Sequence, residues 1–276
     1  IEDTGIIGLQ IHSSKEPSEI LYKNIRIKEL NTKSSSADDI RDPSTALANL
    51  DLYPGLEASL VASEPTILSP TNLDVDHKGR IWVCEVVNYR AHALENKRPE
   101  GDRILILEDN DGDGEADTVK VYYQGRDIDA ALGISVLGNK VIVTVAPNVI
   151  VFTDEDGDDV PDRKEYLFTE TGIEQNDHST HSFLFGPDGK LYWNMGNAGF
   201  FVHDKDGNQV LDRWGNGVYA KGTSRASERR GLPYNYLDEE TSYYGGMVFR
   251  NNMDGSDFEV LAHNFRNNYD QIRWNS

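Results

Sequence analysis

The chain has 276 residues, 27 Lys and Arg against 47 Asp and Glu, and a formal net charge of −20. That balance excludes nucleic acid and anionic membrane surfaces as partners, because both need clustered cations on the protein. The single cysteine, Cys84, excludes a disulfide framework, a cysteine zinc site and a c-type haem motif, and no apolar run approaches the roughly 20 residues of a membrane-spanning helix.

Residues 1–30 place Ile7, Leu9 and Ile11, then Ile20 and Tyr22, then Ile25, Ile27 and Leu30 at a period near two, which predicts strands. Residues 31–51 carry Ser34, Ser35 and Ser36 followed by Asp, Pro and Ala, a composition that buries too little apolar surface to order itself and reads as a linker. From residue 52 to 276 short strands and turn signals alternate without a helical stripe, so the expected class is all-β. The chain starts at Ile1 and stops at Ser276 in what reads as the opening of a strand, and a fragment of a longer protein is expected.

An internal repeat marks this third stretch. Asp109, Asp111, Asp113 and Asp117 share a pattern with Asp154, Asp156, Asp158 and Asp162, and a weaker copy holds Asp204, Asp206, Asn208 and Asp212. The copies begin at 109, 154 and 204, steps of 45 and 50 residues, and each follows an apolar strand. A second hairpin type recurs where Gly79 precedes Ile81, Trp82 and Val83, and where Gly189 precedes Leu191, Tyr192 and Trp193. Short strands at this period predict propeller blades, and roughly 220 residues make four to five of them.

Three constellations could carry chemistry. Carboxylates at positions 1, 3, 5 and 9 of a tight loop suit hard Ca2+, which takes six to eight oxygens. Position 12, where an EF-hand has its bidentate Glu, is Lys120 in the first loop, Glu165 in the second and Gly215 in the third. Turn-forming Asp and Gly explain the same residues without an ion. For the first two loops Ca2+ is the better expectation, since four carboxylates in nine residues repel; for the third, a plain turn is. His178 and His181 precede an apolar strand, where a histidine can act as general base. A surface histidine bonded to a turn is the plainer reading, and a metal-ligand role lacks a third ligand. Arg266 and Asn267 follow a strand and offer donors to an anion.

Taken together, residues 79–85, 102–117, 178–196 and 262–270 resemble, in order, a family of secreted bacterial β-propellers, the membrane-bound dehydrogenases abundant in planctomycetes and verrucomicrobia. That family is similar in turn to the soluble quinoprotein glucose dehydrogenases, six-bladed propellers that hold pyrroloquinoline quinone (PQQ). The resemblance covers roughly residues 52–276 and implies a partial propeller of that type. Its base is a His eight residues before a Gly-Pro-Asp turn, which His178 matches before Gly186, Pro187 and Asp188. The family's Arg-Asn pair at quinone and substrate matches Arg266 and Asn267. Two departures stand out. The Asp that orients the catalytic His is Asn197 here, and the Pro after Arg-Asn is Asn268. Residues 5–12 and 22–30 resemble the last strands of the 3-keto-disaccharide hydrolase domain, a concanavalin-like β-sandwich.

These resemblances imply a PQQ-type sugar or alcohol dehydrogenase, with His178 as base, Arg266 and Asn267 at the quinone or the developing oxyanion, and Ca2+ as a second cofactor. A carbohydrate substrate, an electron acceptor (a cytochrome or quinone) and a periplasmic or extracellular setting follow by the same route. The alternative is a non-catalytic, Ca2+-braced propeller that binds glycans or proteins beside a glycoside-active domain.

Overall fold

Turn chemistry and period-two patterning build three antiparallel sheets. The computed structural model describes residues 42–89, 97–174, 177–199, 201–218, 220–221 and 243–269. The chain divides into two units, Ile1–Leu50 and Asp51–Ser276. In the first, the described residues form two 3-10 turns, Pro43–Thr45 and Leu47–Asn49, the former capped by Asp42, which accepts the Ser44 N–H at 3.0 Å. The strands predicted in residues 1–30 lie outside the described residues.

In the second unit, sheet one is the meander β1 (Pro70–Val75), β2 (Ile81–Glu85), β3 (Asp102–Glu108) and β4 (Thr118–Gly125). Sheet two repeats it with β5 (Gly133–Leu137), β6 (Lys140–Val145), β7 (Asn148–Thr153) and β8 (Arg163–Thr169), and adds β11 (His203–Asp204) at its edge. Sheet three runs β9 (Thr180–Phe185), β10 (Leu191–Met195), β14 (Met247–Asn251) and β15 (Glu259–His263). A small parallel pair, β12 (Ala220–Lys221) and β13 (Tyr243–Tyr244), belongs to the connection between β10 and β14. Four-stranded antiparallel meanders repeated side by side are propeller blades; the fold is a partial β-propeller.

The first strands of the blades lie next to one another. The Ile134 N–H donates to Asn72 Oδ1 at 3.0 Å and the Val136 N–H to Asp74 Oδ2 at 2.7 Å, so β1 and β5 run in the same direction. Gly133, at the start of β5, packs on the backbone of His181 and Ser182 at the start of β9. One end of the assembly therefore gathers the starts of β1, β5 and β9 together with each second-to-third connection. The hairpins between third and fourth strands lie at the other end.

The core sits between successive blades. Trp82, Ile104, Ile106 and Tyr122 of sheet one pack on Ile134, Val141 and Phe152 of sheet two. On the other side of sheet two, Ile142, Val149 and Phe168 meet Phe183, Trp193 and Phe249. The two tryptophans show how register selects faces. Trp82 stands three residues after its turn glycine and Trp193 four, and a shift of one residue turns a side chain to the opposite face. Both thereby face sheet two, from opposite sides. Trp193 is fully buried, its ring 4.4 Å from Phe249 and 5.2 Å from Phe168 and Phe183 by centroids, and its N–H donates to Asn251 at 2.7 Å.

The repeat needs one correction. The first two acidic loops are equivalent, since each joins the third and fourth strands of its blade. The third copy, 204–212, instead lies in the connection between β10 and β14. Its structural equivalent in sheet three is the Asn252–Ser256 turn between β14 and β15, where the Gly255 N–H bonds the Asn252 carbonyl at 2.9 Å. That long connection takes up chain that a uniform period assigns to a further blade, so the described residues hold three blades rather than four or five.

Candidate functional site

The site is built where β9 starts. His178 precedes the strand by two residues and is half-buried, and its Nδ1 lies 2.7 Å from Asn197 Oδ1. An amide oxygen only accepts, so Nδ1 carries the proton and Nε2 carries the lone pair. That is the tautomer a general base requires.

Asn197 also fixes the loop that follows β15. Its N–H donates to the Arg266 carbonyl at 2.8 Å, while the Ala198 N–H donates to the His178 carbonyl at 2.9 Å. Two glycines permit this approach. A Cβ on Gly196 would stand 2.5 Å from the His178 carbonyl oxygen and 2.6 Å from Asn267 Oδ1. Gly246, at φ +74°, lies so close to Phe265 that a Cβ would meet its carbonyl oxygen at 1.8 Å. The fold thus brings His178, Asn197, Arg266 and Asn267 to one place, although 88 residues separate His178 from Arg266. Arg266 and Asn267 present exposed side chains.

Tyr269 ties this loop to the other blades. Its hydroxyl lies 3.1 Å from the Leu132 carbonyl and 3.3 Å from the Thr71 carbonyl, beside the starts of β5 and β1. At the same end a cleft of about 480 Å3 is lined by Pro70, Val86, Tyr89, Lys97, Leu132 and Asp177. Lys97 and Tyr89 escaped sequence reasoning because nothing in their local pattern marks them; only the packing of β1, β5 and β9 puts them beside Asp177.

Residues 42–231 match the family model described as a domain of unknown function, DUF7133. The chain is a DUF7133 protein. No curated protein matches it. Among solved structures, it is similar to the holo form of the pyranose dehydrogenase PQQ domain from Coprinopsis cinerea, with TM-score 0.44 and 14% identity over 73% of this chain and 40% of that one. A carbohydrate-active enzyme of family AA12 from Trichoderma reesei gives TM-score 0.40 and 18% identity over 53% of this chain and 34% of that one. The gluconolactonase XC5397 from Xanthomonas campestris gives TM-score 0.35 and 16% identity over 57% and 56%. The DUF7133 chain thus spans between a third and three fifths of the length of these proteins.

The acidic hairpins of the DUF7133 chain lie at the end of the blades opposite His178. Carboxylate oxygens of Asp109, Asp111 and Asp117 come within 4.8 Å of one another, as do those of Asp154, Asp156 and Asp162. Asp113 and Asp158 stand outside these groups and accept backbone N–H bonds from Glu115 and Val160, each at 2.8 Å. In the weaker copy Asp204 Oδ1 accepts the N–H groups of Asp206 and Asn208, both at 2.9 Å, which makes a hairpin turn. Glu165, at position 12 of the second loop, is exposed and 3.2 Å from Arg163.

Position 6 of the acidic loop is Gly114 in the first copy and Asp159 in the second, and the second has a reason not to be glycine. Asp159, at φ 63°, reaches Arg80 at 2.9 Å and Lys120 at 3.2 Å, both on sheet one. Arg80 also holds Asp76 at 2.7 Å and Glu108 at 3.1 Å. Burial pushes the Asp76 carboxyl up, but hydrogen bonds from Trp82 and Arg80 prevail and hold it down at about 2.

Two buried acids anchor the connection from β2 to β3. Glu85, fully buried, accepts Arg103 at 2.6 and 2.8 Å, Arg98 at 2.8 Å and the Leu68 N–H at 2.7 Å; burial raises its carboxyl, and the two guanidiniums outweigh burial and lower it. Asp102 accepts three backbone N–H groups, from Val87, Asn88 and Ala130, yet burial leaves its carboxyl raised. Burial, and then the nearby Asp102, push the Cys84 thiol up to about 12, which removes it as a nucleophile near neutrality. Among the described residues, no helix is long and apolar enough to cross a membrane.

Proposed function

We propose that this DUF7133 chain is the catalytic-face portion of a sugar or alcohol oxidoreductase in which His178 removes the substrate hydroxyl proton. The observation that carries the reading is the 2.7 Å contact between His178 Nδ1 and Asn197 Oδ1. It selects the tautomer with the proton on Nδ1 and the lone pair on Nε2, in a residue next in sequence to Asp177, which lines the cleft. Asn197 supplies orientation but no charge, so the imidazolium formed in the step gains less stabilisation than an aspartate would give.

The donor set fits an anionic quinone of the PQQ type. A planar polycarboxylate needs cations and amide donors, and Lys97, Arg266 and Asn267 offer both at this end of the blades. Such a quinone, when bound, supplies two-electron acceptance. The protein's own part is to hold the proton acceptor, through Asn197, and to fix the Arg266–Asn267 backbone, through the Asn197 N–H. Carbohydrate is the substrate class, by the resemblance of residues 5–30 to a glycoside-active sandwich. A cytochrome or quinone in a periplasmic or extracellular setting is the proposed electron acceptor. The paired acidic hairpins enter the proposal as Ca2+ sites that brace the blades, away from the chemistry.

Calorimetric titration of the full-length parent with PQQ in the presence of Ca2+ tests the cofactor. Saturable binding that weakens about tenfold in Arg266→Ala supports the reading. An absence of quinone binding, with the protein folded, contradicts it.

A further inference from the structure

His181 is fully buried beside the candidate base, and both of its ring nitrogens face backbone carbonyls. Nδ1 lies 2.6 Å from the Asn268 oxygen and Nε2 lies 2.8 Å from the Asp177 oxygen. A carbonyl oxygen only accepts, and a neutral imidazole has a single N–H. A neutral ring would set a nitrogen lone pair against an oxygen lone pair at one of these contacts, and that is repulsive. Both bonds form only on a ring that carries two protons.

The surroundings suit that charge. The Tyr269 ring stacks on His181 with centroids 4.7 Å apart and planes 25° apart, so the cation lies against an aromatic face. The segments it joins bring Asp177 and His178 on its own side and Arg266 and Tyr269 on the other. β10 brings Asn194, and β5 and β6 bring Gly133 and Thr144, none of which titrates near neutrality. Two carbonyl dipoles and the stacked ring replace the water that the buried cation has lost.

We infer that His181 is a proton-dependent clasp: its doubly protonated ring holds the Asp177–His178 turn to the Arg266–Tyr269 loop, and loss of one proton releases one of the two. The inference gives His181 a positioning role, not a catalytic one, and that role rests on the proposed function of His178 and Arg266. The direction follows from the geometry. Both bonds persist while the second proton is present, and one is lost as pH rises and the proton leaves.

The test is nitrogen-detected NMR of the full chain labelled at histidine, with amide exchange of residues 197 and 266–269 followed against pH. The expected result is a His181 ring with two N–H groups. Its loss on raising pH should coincide with a fall of about tenfold in protection of the Asn197 N–H, beyond the intrinsic acceleration of exchange. In His181→Gln, which keeps one side-chain N–H donor group, that pH dependence should disappear. A His181 ring with one N–H and one lone pair while the loop is protected would overturn the inference, and so would an unchanged pH dependence in the variant. The ring measurement on the unsubstituted chain decides even if the variant fails to fold. Neither measurement involves quinone or sugar, so the clasp and the oxidoreductase reading fail separately.

Discussion

Asn197 serves two segments at once, through its side chain to His178 and through its N–H to Arg266. Asn197→Asp keeps the side-chain acceptor and adds a charge opposite the imidazolium. Sugar-dependent turnover should therefore rise about tenfold, the equivalent of ~1.4 kcal/mol; steady-state kinetics with a redox dye read it. Asp76 supports a prediction of stability. Its carboxyl is held at about 2 against an ordinary 3.8, so its contribution is complete above the ordinary value and is lost as pH falls toward 2. Asp76→Asn should lower stability at neutral pH and flatten the acid limb of the unfolding midpoint between about pH 4 and 2, which urea titrations at a series of pH values would show. The spacing of His178 before the Gly-Pro-Asp turn was readable in the sequence. The pair of ring-nitrogen contacts made by His181 was not, because both partners are backbone oxygens, one of them 87 residues away.

Blades depend on what lies between them. Trp193 packs against four aromatic rings, with Phe258 at 5.9 Å completing the set, and Trp193→Ala should destabilise the fold by about 3–5 kcal/mol. Chemical denaturation measures it, as a lower midpoint with an unchanged slope. Arg80 joins three carboxylates from sheets one and two. Arg80→Met leaves Asp76, Glu108 and Asp159 without their shared cation and should cost about 3 kcal/mol. The turn signals around Gly79 and Gly189 made the hairpins legible, as did the acidic loops that follow β3 and β7. The third acidic copy misled because a local pattern does not reveal which strands it connects. It belongs to the long connection between β10 and β14, and the true equivalent near Asp254 is less acidic.

At the scale of the molecule, the direction of the strands separates the two proposed functions. The starts of β1, β5 and β9 gather His178, Lys97 and Arg266 at one end, and the acidic hairpins occupy the other. The Ca2+ proposed at the hairpins is therefore expected to act on stability alone. Calcium at about 100 times its dissociation constant should add ~2.7 kcal/mol per site, read as a rise in Tm that Asp111→Asn and Asp156→Asn together abolish. If the ion instead changed the rate at constant stability, this separation would be wrong. An all-β propeller was legible from period-two strands at a repeat near 45 residues, whereas the convergence of residues 178, 197 and 266 required the antiparallel pairing of β9, β10, β14 and β15, which brings the start of β9 and the ends of β10 and β15 to one end of sheet three. The most direct measurement is sugar-dependent dye reduction by the PQQ- and Ca2+-loaded full-length parent, compared with His178→Gln. The account predicts turnover that falls by about 10²–10⁴-fold in the variant while quinone affinity is retained. Equal turnover in both proteins, or none in the parent with the quinone bound, would contradict it.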